Sequence, residues 1–165
     1  HPEGNPDISN QDLDNAIIEK NKFAKNTDAK LYLVTQFFFD ASSFISWEKH
    51  LKKLGNQLEI HAGLSGPANL KTLISFAKSC GVSNSLKFLS KQALNITKLA
   101  LTRTPDKIIN DLVIYKTSNS ESKLKKIHFY PFGGLKRTSN WANALINNDI
   151  SITTNGEIRI NDFNL

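Results

Sequence analysis

A length of 165 residues suits one domain or a large piece of one, and a hydrophobic content of 39% is low but sufficient for a core. No apolar run approaches the roughly 18 residues of a membrane-spanning helix, so no membrane partner is expected. The formal net charge of +6 comes mainly from scattered lysines, densest at His50–Lys53 and Lys123–Lys126; neither cluster shows the basic stripe with aromatic interleaving that nucleic-acid binding calls for.

The chain opens on His1 rather than Met, so an upstream segment is expected. The single cysteine, Cys80, excludes an internal disulfide and fits a reducing, cytoplasmic compartment. At a helix end before Gly81 it reads as a small buried apolar residue.

The segment His1–Asp7 holds two prolines and a glycine and reads as a loop. A helix is predicted from about Asn10, with Ser9 or Asn10 as its cap and Leu13, Ala16, Ile17, Lys20 and Ala24 on one stripe. It fades near Asn26. The run Leu31–Asp40 then begins as a continuous apolar strand, which predicts burial on both faces. Asp40 or Ser42 caps the next helix, whose Phe44, Trp47, Leu51 and Leu54 recur at helical spacing before Gly55.

A second strand is predicted over Gln57–Ala62, running into a turn at Gly63–Pro67. Leu70, Leu73, Ile74 and Ala77 mark a helix closed by Gly81, and Leu86–Leu101 carries further helical spacing. Thr104-Pro105-Asp106 places a cap before a proline at the first helical position. Lys126–Tyr130 is a third strand, followed by Pro131-Phe132-Gly133-Gly134 and a helix capped by Thr138 or Ser139. The tail from Ile150 to Ile160 alternates around Asn155-Gly156, a strong hairpin pattern.

Strands alternating with helices predict a parallel sheet with crossover helices. Three strands and this length match about the second half of a (β/α)8 barrel, typically about 250 residues. The expected division is residues 1–149 for the half-barrel and 150–165 for a C-terminal extension. Its open sheet edges should drive self-association or binding to a partner half.

No nucleophile motif or metal-ligand spacing emerges. Ser65 misses the nucleophile-elbow spacing, and the four histidines are far apart in sequence. The sequon Asn95-Ile96-Thr97 falls in a helical pattern and is discounted. What points to chemistry is placement: Gln36, His61 and Tyr130 lie at or near C-terminal strand ends, where barrels carry their sites. Gln36 either meets a ligand or bonds neighbouring backbone. The glycine turns either cradle phosphate, as in a phosphate-binding barrel, or only permit sharp turns. A non-catalytic half-barrel acting as a binding or assembly module is the other open reading.

Several segments carry a resemblance. Val34-Thr35-Gln36-Phe37-Phe38-Phe39-Asp40 resembles the "ITQ-FFD" strand of the methylenetetrahydrofolate reductase family. His1–Asp7 resembles its "YPE-HPE" segment, Glu59–Leu64 its "I-PGI-P" strand and turn, Phe76-Ala77 its following helix, and Ile127–Tyr130 its "HFYT" strand. The likeness spans residues 1 to about 147 in the right order.

It implies an FAD-carrying barrel in which NAD(P)H reduces the flavin and the flavin reduces methylene-tetrahydrofolate to methyl-tetrahydrofolate. Such an activity belongs to one-carbon metabolism and methionine biosynthesis. The resemblance implies substrate contacts at Gln36, Thr72 and Phe76, with Arg137 as the replacement for an arginine absent in register. It implies flavin contacts at His1, Asn5, Asn15, Ile18 and Lys22. Departures are plain: His1 stands for the tyrosine of "YPE", Asn5 for the histidine of "HPE", and Thr72 for a longer amide. The family's acid catalyst belongs to the first half of the barrel, so no catalytic residue is expected in this chain, which alone should be inactive. A folate substrate, the N-terminal half of the same barrel and a homo-oligomeric assembly are the expected partners.

Overall fold

A computed structural model describes residues 1–82, 89, 100, 102–154 and 158–161. Helix α1 spans Asn10–Ala24. Its cap is Ser9, whose hydroxyl oxygen accepts from the Asp12 amide at 3.1 Å. Ile17 is the helix's buried residue. Asn21 latches α1 to the chain before the second strand: its amide donates to Asn56 Oδ1 at 2.8 Å and its carbonyl accepts from the Gln57 amide at 2.8 Å.

Strand β1 is Tyr32–Val34 and helix α2 is Ala41–Lys53, capped by the Asp40 carboxylate. Gly55 follows at φ +80°, the left-handed turn that favours glycine after a helix. Strand β2 runs Glu59–Ser65. A two-residue strand β3, Ala68–Asn69, leads into α3, Leu70–Ser79, capped by Asn69. Then come β4, Thr102–Arg103, helix α4, Asp106–Ser118, strand β5, Leu124–Tyr130, and helix α5, Leu135–Ile146. The tail folds as an antiparallel pair, β6 (Ile150–Ile152) with β7 (Ile158–Ile160), as its alternation predicts.

Three expectations shift. The second strand continues through Gly63 to Ser65, because Gly63 sits between two other chain segments rather than at a bend. Helix α4 starts at Asp106, with Pro105 in the cap position and the Thr104 hydroxyl donating to the Asp106 carboxylate. Helix α5 starts at Leu135, so Thr138 is not its cap; instead its hydroxyl donates to the Gly134 carbonyl one turn back, at 3.0 Å. The helical pattern at Leu86–Leu101 and the sequon at Asn95 lie in a stretch most of which is outside the described residues, as does the Asn155-Gly156 turn.

The sheet has the order β1-β2-β5, all parallel, with each connection carrying helix. Alternate strand residues Leu33, Ile60, Ala62, Leu64 and Leu124 join residues of α1, α2, α4 and α5 in one apolar core. These strands and helices are the repeating wall of a (β/α)8 barrel, present in part.

The other sheet face is open, which corrects the expectation that the first strand is buried on both sides. Tyr32 is 50% and Val34 44% exposed. A barrel strand is covered on both faces only where an opposite wall is present, and the helices here cover one. No described helix is long and apolar enough to cross a membrane.

At the opposite end from the strand C-termini, Glu48 of α2 is 4% exposed. Its carboxylate accepts from the Ser122 hydroxyl at 2.9 Å and from the backbone N–H of Lys123 at 2.6 Å and Leu124 at 3.1 Å. Burial, then the hydrogen bond with Glu48, pushes the Tyr115 hydroxyl up to about 12. One buried carboxylate thus ties α2 to the start of β5, and these donors, the Tyr115 hydroxyl among them, offset its desolvation. Glu48→Gln keeps the shape but replaces the charged acceptor. We expect a loss of about 1.5–3 kcal/mol in chemical denaturation of the complete protein; an unchanged midpoint would show that the neutral amide satisfies the same donors.

Candidate active site at the C-terminal mouth of the sheet

Thr35 directly follows β1 and is 2% exposed. Its amide donates to the His61 carbonyl at 3.1 Å, extending the pairing with β2. Its hydroxyl accepts from the Gly63 amide at 2.8 Å and donates to the Gln36 carbonyl at 2.8 Å. Its carbonyl accepts from the Tyr130 hydroxyl at 2.8 Å. Burial pushes the Tyr130 pKa up, which keeps that hydroxyl a donor. All three strands are therefore fastened at one point.

Gly63 makes this close approach possible. A Cβ there would lie 2.5 Å from the Thr35 carbonyl oxygen and 2.8 Å from the Tyr130 ring. The sequence reading did not single out Thr35. A hydroxyl inside an apolar run, next to the one amide, is the feature that marks it.

Gln36 is half-buried and its side-chain oxygen accepts from the Phe37 amide at 3.1 Å. One end of the side chain is thus fixed by neighbouring backbone, as one of the two readings holds. The residue after it, Phe37, belongs to an aromatic cluster. Phe37 meets Tyr130 and Phe132 edge-on, with centroids 5.9 and 4.8 Å apart. Phe76 stacks on Phe132 at 4.0 Å and 13°. Phe37, Tyr130 and Phe132 pack in a second core with Phe39, Leu70, Leu73 and Ala77, so α3 packs against the mouth, with Phe76 at its exposed edge.

Of the other expected substrate residues, Thr72 lies in the first turn of α3, where its amide donates to Asn69 Oδ1 at 2.8 Å. Arg137 lies in the first turn of α5, not in a loop.

The expected cofactor residues divide into two groups. Asn15, Ile18 and Lys22 share one exposed stripe of α1, and Lys22 has a 3.9 Å pair with Glu19. His1 lies on another side of α1, in a cleft of about 300 Å³ with Asp14, Trp47 and His50, and its Nδ1 is buried without a hydrogen-bond partner. Asn5 sits in the preceding turn, accepting from the Asp7 amide at 2.8 Å. The structure does not bring these groups together with Gln36.

The glycine turns are not open phosphate cradles. A Cβ on Gly133 would collide with the Pro67 carbonyl, and one on Gly66 with the Thr138 side chain. Both glycines let the loop after β2 and the loop after β5 pack on each other.

The inner sheet face below the mouth is basic and aromatic. Register places His61 beside Lys126 and Gly63 beside His128, and Tyr32 stacks on His61 at 4.1 Å. Burial lowers the His61 pKa; Lys126, His128 and Lys30 lower it further, against an opposing pull from Glu59.

A parallel strand–helix wall with polar and aromatic groups gathered at the strand C-termini is the partial (β/α)8 barrel class, and those strand ends are where such barrels carry their sites. Residues 1–132 match the family profile of methylenetetrahydrofolate reductase. The chain belongs to that family, a family of folate-related oxidoreductases built on the (β/α)8 barrel.

Thr35→Val keeps the branched shape but removes the hydroxyl that serves both Gly63 and Gln36. Leaving the Gly63 amide unsatisfied should cost about 1–3 kcal/mol, measured by denaturant midpoint. No change would mean that water replaces the hydroxyl there.

His61 supplies a pH prediction. Its folded pKa lies below the ordinary 6.5, so the folded state favours neutral imidazole. That contribution is present above the unfolded pKa and is lost as pH falls through the folded value. Lys126→Met should move the His61 midpoint upward in an NMR titration of histidine-labelled protein. A midpoint that stays put would exclude the Lys126 charge as a cause.

Proposed function

We propose that residues 1–149 are the C-terminal half of a flavin-dependent reductase that interconverts methylene-tetrahydrofolate and methyl-tetrahydrofolate with NAD(P)H, and that residues 150–165 are a C-terminal extension, in which β6 pairs with β7. The observation that carries this reading is Gln36. In a chain of this family, it stands at the C-terminal end of a barrel strand, locked by Thr35 and flanked by the Phe37–Phe132–Phe76 cluster.

On this reading Gln36 orients the substrate. Its oxygen is held by the Phe37 amide, which directs the NH2 group toward an acceptor on the pterin edge. The stacked Phe76–Phe132 pair supplies an apolar wall that keeps water from the reacting atoms. Thr72 and Arg137 stand on the first turns of the two helices that frame the mouth, where they would contact the rest of the substrate.

The α1 stripe fits FAD by its donor set. An exposed ammonium at Lys22 and an amide at Asn15 suit a diphosphate and a polar chain, and Ile18 between them offers apolar contact. His1, with an unpartnered ring nitrogen, and Asn5 would contribute from the preceding loop. Bound there, FAD supplies a two-electron carrier between NAD(P)H and folate. The acid catalyst and the remaining barrel strands come from the N-terminal half, so this chain by itself is inactive.

The test uses the complete protein, which should be yellow. Gln36→Glu keeps the size but replaces donors with a charge that a half-buried site penalises. We expect reoxidation of reduced flavin by methylene-tetrahydrofolate to slow at least about tenfold, equivalent to roughly 1.4 kcal/mol. Circular dichroism and flavin content should stay unchanged. Wild-type reoxidation in the folded, flavin-loaded variant would make Gln36 an ordinary core amide, and a colourless complete protein would remove the flavin reading.

A further inference from the structure

Lysine is the usual cation of this chain; its arginines are Arg103, Arg137 and Arg159 alone. An arginine where lysine is the habit marks a place that needs a planar fork of donors rather than a point charge. Arg103 is such a place. It is half-buried on β4, and its Nε is shut off from solvent with no hydrogen-bond partner among the described residues. A guanidinium N–H aimed inward and left unpaired is costly, and an incoming acceptor relieves that cost.

Its position in the fold says where the acceptor would come from. Arg103 pairs in register with Ala68, two residues beyond Gly66 at the C-terminal mouth. On its other side the same strip carries the loop after β5. Gly133 packs on Pro67 and Ala68, and Thr138, next to Arg137, packs on Gly66. Elements bearing two of the three arginines thus meet at Gly66–Ala68, beside the ring cluster that flanks Gln36.

We propose that Arg103 is an oxyanion-binding position on the rim of this mouth, taking a carboxylate or phosphate of a ligand seated there, with the first turn of α5 and its Arg137 closing the other side. The inference uses the location of the proposed substrate site but does not depend on flavin chemistry. The shared chemistry is a planar or tetrahedral oxyanion accepting two parallel N–H bonds. A glutamyl carboxylate of folate and a nucleotide diphosphate both offer it.

Binding of three probes to the complete protein distinguishes the sources: tetrahydrofolate, tetrahydropteroate (which lacks the glutamyl carboxylates) and inorganic pyrophosphate. Arg103→Met should weaken one anionic probe at least tenfold in calorimetry and leave tetrahydropteroate unchanged. Loss confined to tetrahydrofolate assigns the carboxylate. Loss of pyrophosphate assigns the phosphate and stands even if the protein binds no folate, an outcome that would sink the proposed function alone. If Arg103→Met fails to fold, Arg103→Lys decides, because it keeps the charge without the fork. A several-fold weakening supports the proposal and wild-type affinity overturns it. A folded Arg103→Met that binds every probe like the wild type, or a wild type that binds neither anion, also overturns it.

Discussion

The structure depends on the four bonds that converge on Thr35. Parallel strands end at different heights and have no tight turn to hold them in register, so their C-terminal ends tend to fray. Here one buried residue closes that end. Its amide and hydroxyl bind β2, its carbonyl receives β5 through Tyr130, and its hydroxyl also holds the Gln36 carbonyl. This arrangement requires that β2 carry no side chain at Gly63, since any Cβ would displace either the Thr35 carbonyl or the Tyr130 ring. The position of Gln36 is therefore inherited from the sheet and not from a loop, and a group held this way is located more tightly.

The three phenylalanines after Gln36 point alternately to two sides, out of phase with the strand before them, and divide the interior in two. Phe38 turns into the helix layer, where it stacks on Phe44 with centroids 5.3 Å apart. Phe37 and Phe39 turn the other way and join α3 in the core that faces the mouth. Both sides of one short segment are thus committed to apolar packing. Sheet, helix layer and mouth are coupled through it, and a shift of α3 cannot leave the rings near Gln36 in place.

Much of this was legible because local chemistry decided it. Ser9 and Asp40 have the side chains that cap helices, and each helix begins where its cap stands. The amide in an apolar run marked Gln36, and the motif around it marked the family. What was not legible depends on segments far apart in sequence. Gly63 looks like a turn glycine until Tyr130 is seen against it. Thr138 looks like a cap until Gly134 takes that place at φ +103°. Arg103 lies beside Ala68 through a pairing of two two-residue strands that no periodicity shows. The first strand's run suggested burial on both faces, which is a property of the barrel wall as a whole.

Glu48 imposes an order on assembly. A carboxylate at the centre of α2 faces the core side of its helix, and it is held by Tyr115 of α4 and by residues 122–124. Until both stretches have been brought back, docking α2 fully against β1 and β2 would strip water from an incompletely compensated charge. The chain in between has to close a long loop before the charge is satisfied. Helix α2 thus reaches its final packing only with the arrival of β5 at the sheet edge, which both satisfies the carboxylate and completes the apolar core beneath it.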